Sequence, residues 1–177
     1  MPDGPYIYMF NHTSILDTFV VMAILPEFTS AIGKKEQFRI PIWGTILRRW
    51  GTLPIDRHAL TAAIENLDRV GESFARGRSV LIAPEGTRSH DGRLGPFKKG
   101  PFHIASRYQA RLVPIAIVGA FRAKHKGSWI LRPGVIQARI GLPLESHSLL
   151  ASSVESLRDE SRRQFEALLS GQAPNGD

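Results

Sequence analysis

Residues 6–17 read Tyr6-Ile7-Tyr8-Met9-Phe10-Asn11-His12-Thr13-Ser14-Ile15-Leu16-Asp17. The unbroken apolar run Tyr6–Phe10 has the length and continuity of a strand buried on both faces, the pattern expected of a parallel sheet. A polar step follows, and residues 14–25 then read as a helix that Pro26 ends. A buried strand feeding a helix is the first half of a β-α-β unit, so the fold class turns on this stretch.

The same alternation recurs outward from it. Thr29–Ile32 is a short strand candidate, and residues 42–50 form a short helix with Pro41 near its first turn and Gly51 past its end. Thr52–Ile55 is the next strand. Residues 60–76 carry Leu60, Ala63, Ile64, Leu67, Val70 and Phe74 at helical spacing, closed by Gly77. Gly71 lies inside that helix at a cost of about 1 kcal/mol relative to alanine. Ser79–Ala83 is a buried strand, residues 84–96 a loop, Phe102–Tyr108 a helix and Leu112–Val118 a strand. Two late strands are expected at Trp129–Leu131 and Val135–Ile140. Ser152-Ser153-Val154-Glu155 fits a capping box opening a last helix with an apolar stripe at Val154, Leu157, Phe165, Leu168 and Leu169. The expected fold is a single α/β domain over residues 1–170, with a central mostly parallel or mixed β-sheet flanked by helices, and a flexible tail over 171–177.

Composition narrows the function classes. The chain has 177 residues, 42% hydrophobic and 22% charged, which suits a folded domain with a sizeable core. It has no cysteine, which excludes disulfides, a thiolate nucleophile and cysteine-bound zinc. There is no run of about 18 apolar residues, so no transmembrane helix is expected, and no signal peptide pattern is present. A net charge of +7 points to an anionic partner. The basic pairs are scattered without interleaved aromatics, which places phosphate or lipid ahead of nucleic acid, and no nucleic-acid partner is expected. The six histidines lack metal-ligand spacing, so no metal is expected.

Three segments carry candidate chemistry. In the first, His12 precedes Asp17 by five residues across the strand-to-helix step. An imidazole takes a proton near neutral pH and a carboxylate can fix its tautomer. Ser14 to Asp17 also has capping-box spacing, so Asp17 can be a helix cap and His12 a turn residue; the two readings are compatible. The N–H groups at the helix start offer oxyanion donors. The second segment, Pro84-Glu85-Gly86-Thr87-Arg88-Ser89, follows a buried strand, where ligand loops of open α/β sheets emerge. Arg88 can grip a phosphate, Gly86 permits close backbone approach, and Glu85 can accept from an alcohol or orient the arginine; the bland alternative is a surface turn with an Arg–Glu pair. The third, Gly51 to Arg57, offers Arg57 as a second phosphate ligand or a partner of Asp56.

In order, Asn11-His12-x4-Asp17, Lys34-Lys35-Glu36, Gly51 to Arg57, Pro84-Glu85-Gly86-Thr87-Arg88 and Val113-Pro114 resemble the glycerolipid acyltransferase family, most closely its bacterial 1-acylglycerol-3-phosphate type. The resemblance spans about residues 6–145. It implies His12 as general base, Asp17 as the carboxylate orienting it, and Glu85, Gly86, Thr87, Arg88 and Arg57 as acceptor-binding residues. The implied reaction moves a fatty acyl group from acyl-CoA or acyl-carrier protein, as co-substrate, to the free hydroxyl of lysophosphatidate, with no further cofactor. Implied partners are the lysophospholipid acceptor, the acyl thioester donor, an anionic membrane surface and acyl carrier protein; the implied location is the cytoplasmic face of a membrane, peripherally. Ile117 stands where the family usually has a second proline, and the helical membrane-associated leader usual before His-x4-Asp is expected to be missing. Other readings are the same chemistry on glycerol 3-phosphate, another lysophospholipid or an amino-acid lipid, and a non-catalytic lipid- or phosphate-binding module.

Overall fold

The computed structural model describes residues 5–26, 29–55, 60–146 and 153–172, with only the backbone of 60–67. Strand β1 (Tyr6–Phe10) leads to helix α1 (Leu16–Ile24), then β2 (Thr29–Lys34). A 3-10 turn (Lys35–Arg39) that the sequence did not announce joins β2 to α2 (Trp43–Arg49). After β3 (Leu53–Ile55) come α3 (Leu60–Ala75), β4 (Ser79–Ile82), α4 (Gly100–Tyr108) and β5 (Arg111–Val118). A one-turn α5 (Ala120–Ala123), β6 (Gln137–Ile140) and α6 (Val154–Ser170) complete the described elements.

The six strands form one mixed sheet in the order β3-β2-β4-β1-β5-β6. All neighbours pair in parallel except β5 and β6, which are antiparallel. The expected α/β sheet is therefore present. The expected strand at Trp129–Leu131 is not: only Gln137–Ile140 pairs, and residues 128–136 run irregularly. Apolar residues alone do not make a strand where no neighbour offers a ladder.

The core follows the two-residue period of the strands. Ile7 and Met9 join Val80, Leu112, Ala116, Phe102, Leu157 and Phe165 in one buried cluster. Tyr6, Tyr8 and Phe10 join Leu81, Val113, Ile115, Ile117 and Val21 of α1 in the other. β1 and β5 are thus buried on both faces, which is why their sequences read as continuous apolar runs. Gly71 has a packing reason as well as a propensity cost: a Cβ there would strike the Tyr108 ring, so α3 and α4 approach closely at this point.

Both helix starts differ in detail from the expected caps. Ser153, not Ser152, caps α6, its Oγ accepting the Ser156 N–H at 3.0 Å. Ser152 lies outside the described residues, as does the tail beyond 172. At α1, Asp17 accepts the Ser14 N–H at 2.6 Å, the reciprocal half of a capping box. Ser14 Oγ bonds the Lys124 carbonyl at 2.5 Å and the Leu16 N–H at 3.2 Å, so the other half is missing.

Gly44 seats α2 against the preceding 3-10 turn, since a Cβ there would fall on the Phe38 carbonyl oxygen. Gly44→Ala must push a backbone segment aside. It should lower the unfolding free energy by about 1–3 kcal/mol in urea denaturation, although alanine favours helix over glycine.

Candidate active site

Parallel strands end on one edge, and the charged motifs sit there. β1 and β4 are neighbours in register, with Met9 opposite Ile82. Equal steps beyond those two residues reach His12 and Glu85. The His12 N–H accordingly donates to Glu85 Oε1 at 2.9 Å, and the Ser89 N–H donates to the His12 carbonyl at 2.7 Å. The loop after β4 therefore grips the backbone of His12 from both sides.

Asp17 is fully buried and fixes the ring. Its Oδ2 accepts the Thr13 and Ser14 N–H groups, each at 2.6 Å, and lies 3.2 Å from His12 Nδ1. A carboxylate only accepts, so Nδ1 carries the proton and Nε2 is left as the basic nitrogen. The expected oxyanion donors at the helix start are largely engaged: Thr13 and Ser14 bond Asp17, and Leu16 bonds Ser14 Oγ.

Glu85 is also buried, and both of its oxygens bond backbone N–H groups, those of His12 and of Gly95 at 2.8 Å. A Cβ at Gly95 would collide with Oε2, so glycine is needed for this approach. Burial raises the carboxyl pKa above its ordinary value, partly opposed by the two N–H groups and by His12. Glu85 thus reaches the site through the backbone of His12 rather than through its own lining surface.

In front of these groups lies a cleft of about 270 Å³. His12, Gly86, Thr87 and Arg88 line it, with Lys34 at the end of β2 and Lys126 beyond α5. Lys126 Nζ is 2.7 Å from His90 Nε2. Arg88 has no ion-pair or hydrogen-bond partner among the described residues, which leaves its guanidinium available to an anion. The remaining wall is largely apolar: Phe10, Ile15, Ile32, Trp43, Leu47 and Leu81. Among the described residues no group of His, Cys, Asp or Glu is placed to hold a metal ion.

Of the residues singled out in the sequence, His12 and Asp17 meet directly, and Gly86, Thr87 and Arg88 share their cleft. Glu85 stands behind it. Arg57 lies outside the described residues. Sequence reasoning missed Lys34 and Lys126 as cleft residues, because a lone basic pair does not reveal which end of a strand it occupies. It also passed over Asn11, whose amide bonds both backbone groups of Ile117, accepting its N–H at 2.6 Å and donating to its carbonyl at 3.0 Å. A proline at 117 would have no N–H for this clamp, and Ile117 packs in the core rather than in the cleft.

A six-stranded mixed α/β sheet with a histidine–carboxylate pair at its carboxyl edge defines the class, and comparison with known proteins agrees with it. A model of the family described as Acyltransferase matches residues 1–118, and the chain belongs to this family. It is 38% identical over 141 residues to the 1-acyl-sn-glycerol-3-phosphate acyltransferase of Cocos nucifera, covering 79% of this chain and 46% of that protein. It is 36% identical over 164 residues to the chloroplastic 1-acyl-sn-glycerol-3-phosphate acyltransferase BAT2 of Brassica napus, covering 92% and 46%. The chain thus spans about half the length of these curated relatives. The crystal structure of the 1-acyl-sn-glycerophosphate acyltransferase PlsC from Thermotoga maritima superposes with a TM-score of 0.81 at 25% identity, covering 100% of this chain and 70% of that one.

The raised Glu85 pKa has a thermodynamic sign. The folded chain holds this proton more tightly than the unfolded chain, so stability falls as pH rises from the ordinary value of 4.5 through the higher folded one. Unfolding free energies measured across that window should show this fall in the wild type and lose it in Glu85→Gln.

Proposed function

We propose that the chain is an O-acyltransferase domain acting on lysophosphatidate, with an acyl thioester of coenzyme A or acyl carrier protein as donor, at the surface of an anionic membrane. The observation that carries this reading is His12, held through Nδ1 by a buried carboxylate, in a cleft that also contains Arg88. The relatives' activity on 1-acyl-sn-glycerol 3-phosphate supports the choice of acceptor. Among the described residues no helix is long and apolar enough to cross a membrane, and a peripheral location is part of the proposal.

The chemistry asks little of the protein. A thioester carries a good leaving group, whereas an alcohol needs a base. His12 Nε2 takes the proton of the acceptor hydroxyl as its oxygen attacks the thioester carbonyl carbon. The tetrahedral adduct then collapses with cleavage of the carbon–sulfur bond, and the imidazolium returns the proton to the departing thiolate. The sum is ester plus free thiol, with no acyl-enzyme. Asp17 stabilises the imidazolium formed in the first step. Arg88, with Lys34 and Lys126, holds the phosphate so that the hydroxyl reaches Nε2, a proximity contribution. Arg57 is proposed as a further phosphate ligand. The apolar wall of Ile15, Trp43 and Leu47 takes the hydrocarbon.

Thiol release from acyl-CoA, measured with and without lysophosphatidate, tests the reading. His12→Ala should lower the acceptor-dependent rate by about 10²- to 10⁴-fold, the usual worth of a general base. An undiminished rate would remove His12 from the chemistry. Arg88→Ala should raise the KM for lysophosphatidate by about tenfold or more, as loss of a charge-assisted bond to phosphate requires, with a smaller effect on the donor. A panel of acceptors and of CoA and carrier-protein donors separates lysophosphatidate from glycerol 3-phosphate and other lysophospholipids.

A further inference from the structure

Two stretches of backbone leave the carboxyl edge of the sheet on either side of the cleft and carry apolar side chains into solvent. The first follows β2. Its 3-10 turn is followed by Ile40-Pro41-Ile42, and the Trp43 N–H donates back to the Pro41 carbonyl at 2.7 Å. Ile42, between them, has φ 67° and ψ −59°, the strained positive-φ form of the γ-turn, and is 78% exposed. A β-branched residue is seldom found at positive φ. Here that conformation points a large apolar group away from the protein, while the next residue, Trp43, lines the cleft and packs edge-on against Phe19 and Trp50.

The second stretch follows β5 and α5. Lys126 lines the cleft, and three residues on the chain reaches Trp129, 97% exposed, then the exposed Ile130 and Leu131. The Arg132 N–H bonds the Ala123 carbonyl at 2.9 Å, so the segment leaves the body and returns to it. β2 and β5 stand on opposite sides of β4 and β1, whose ends lead to Arg88 and His12, so the cleft has Trp43 next to the first stretch and Lys126 at the root of the second.

The charge around them selects the occupant. Arg39 and Arg132 are exposed beside the two apolar tips, and Lys34, Arg88 and Lys126 line the opening. Among the described residues, Glu36 and Asp91 are exposed acids on the same edge. An apolar tip with cations beside it is the pattern that enters the headgroup region of an anionic bilayer, tryptophan and isoleucine below the phosphates and arginine among them. Two separate tips straddling an opening match a continuous fluid surface better than the flat patch of a protein interface.

The geometry points to the Ile40–Ile42 turn and the Trp129–Leu131 segment as paired insertion points that seat the cleft mouth on an anionic phospholipid bilayer. The inference rests on the acyl-transfer reading only for what then enters the cleft; the binding stands by itself. Neither tip belongs to the cleft lining, and either can be altered without harm to the fold. Glycine adopts the φ of Ile42 freely, and Trp129 is almost wholly solvated.

The test is co-sedimentation of the full chain with phosphatidylcholine vesicles, with and without phosphatidylglycerol, at low salt. The wild type should pellet with the anionic vesicles. Ile42→Gly and Trp129→Ser should each weaken the partition by about tenfold, as loss of one inserted apolar side chain requires. Arg132→Glu should weaken it at low salt and have little effect at high salt. Pelleting unchanged by Ile42→Gly and Trp129→Ser overturns the proposal. So does a concentration-dependent dimer in light scattering that either substitution dissolves, which would give the tips to a second copy of the chain. Turnover of a short-chain, monomeric lysophosphatidate provides the separate control. It should match the wild type in both variants, and its loss in them would overturn the assignment of the tips to docking. Its absence from the wild type would instead remove the acyl-transfer reading and leave the vesicle result to decide docking alone.

Discussion

One buried carboxylate oxygen, Asp17 Oδ2, is the constraint on which the rest of the site depends. It receives two backbone N–H groups and faces His12 Nδ1. Bonds from backbone to a carboxylate are among the stronger ones available to a protein. They set the angle at which the chain leaves β1 and enters α1. The same oxygen that shapes the turn therefore orients the imidazole, so the acceptor facing Nδ1 is held as firmly as the helix start. Glu85 does for the neighbouring strand end what Asp17 does for this one. Two buried acids meet the hydrogen-bonding needs of main chain that has left the sheet, and His12 stands between them.

Much of this was legible, for reasons that differ by element. Tyr6–Phe10 and Arg111–Val118 announced themselves because a strand covered on both faces must be apolar throughout. The histidine–aspartate pair was legible because it is local: five residues suffice to bring the two together. Glu85 stands out in its motif, but its backbone partners do not. Its bonds to His12 and Gly95 depend on β1 lying beside β4, a pairing between segments 73 residues apart that no short motif encodes. Trp129–Leu131 reads as a strand on apolar content alone, yet its residues face solvent. The 3-10 turn after β2 is not legible because the residues that form it, Lys35 to Arg39, have no periodicity to read.

The cleft has two characters. Cations arrive from the end of β2, the loop after β4 and the segment after α5, whereas the strands β1, β2 and β4, with Ile15 and α2, supply apolar surface. An amphiphile with an anionic head fits such a division without rearrangement. That the arginine at 88 has no acid beside it among the described residues matters as much as its presence, since a paired guanidinium would have to give up one partner to take another.

The sheet order has a consequence for how the chain is made. Among the described elements β1 is the first strand of the sheet, and its neighbours are β4 and β5. Both of its edges are open while β2 and β3 are synthesised, at roughly 5–20 residues per second, so the interval runs to several seconds. An apolar strand with two bare edges is an invitation to pair with another nascent chain. The arrangement that brings His12 and Glu85 together in the finished molecule thus leaves the segment before His12 the most vulnerable part of the unfinished one, and production of this protein should depend more on chaperone supply than its size suggests.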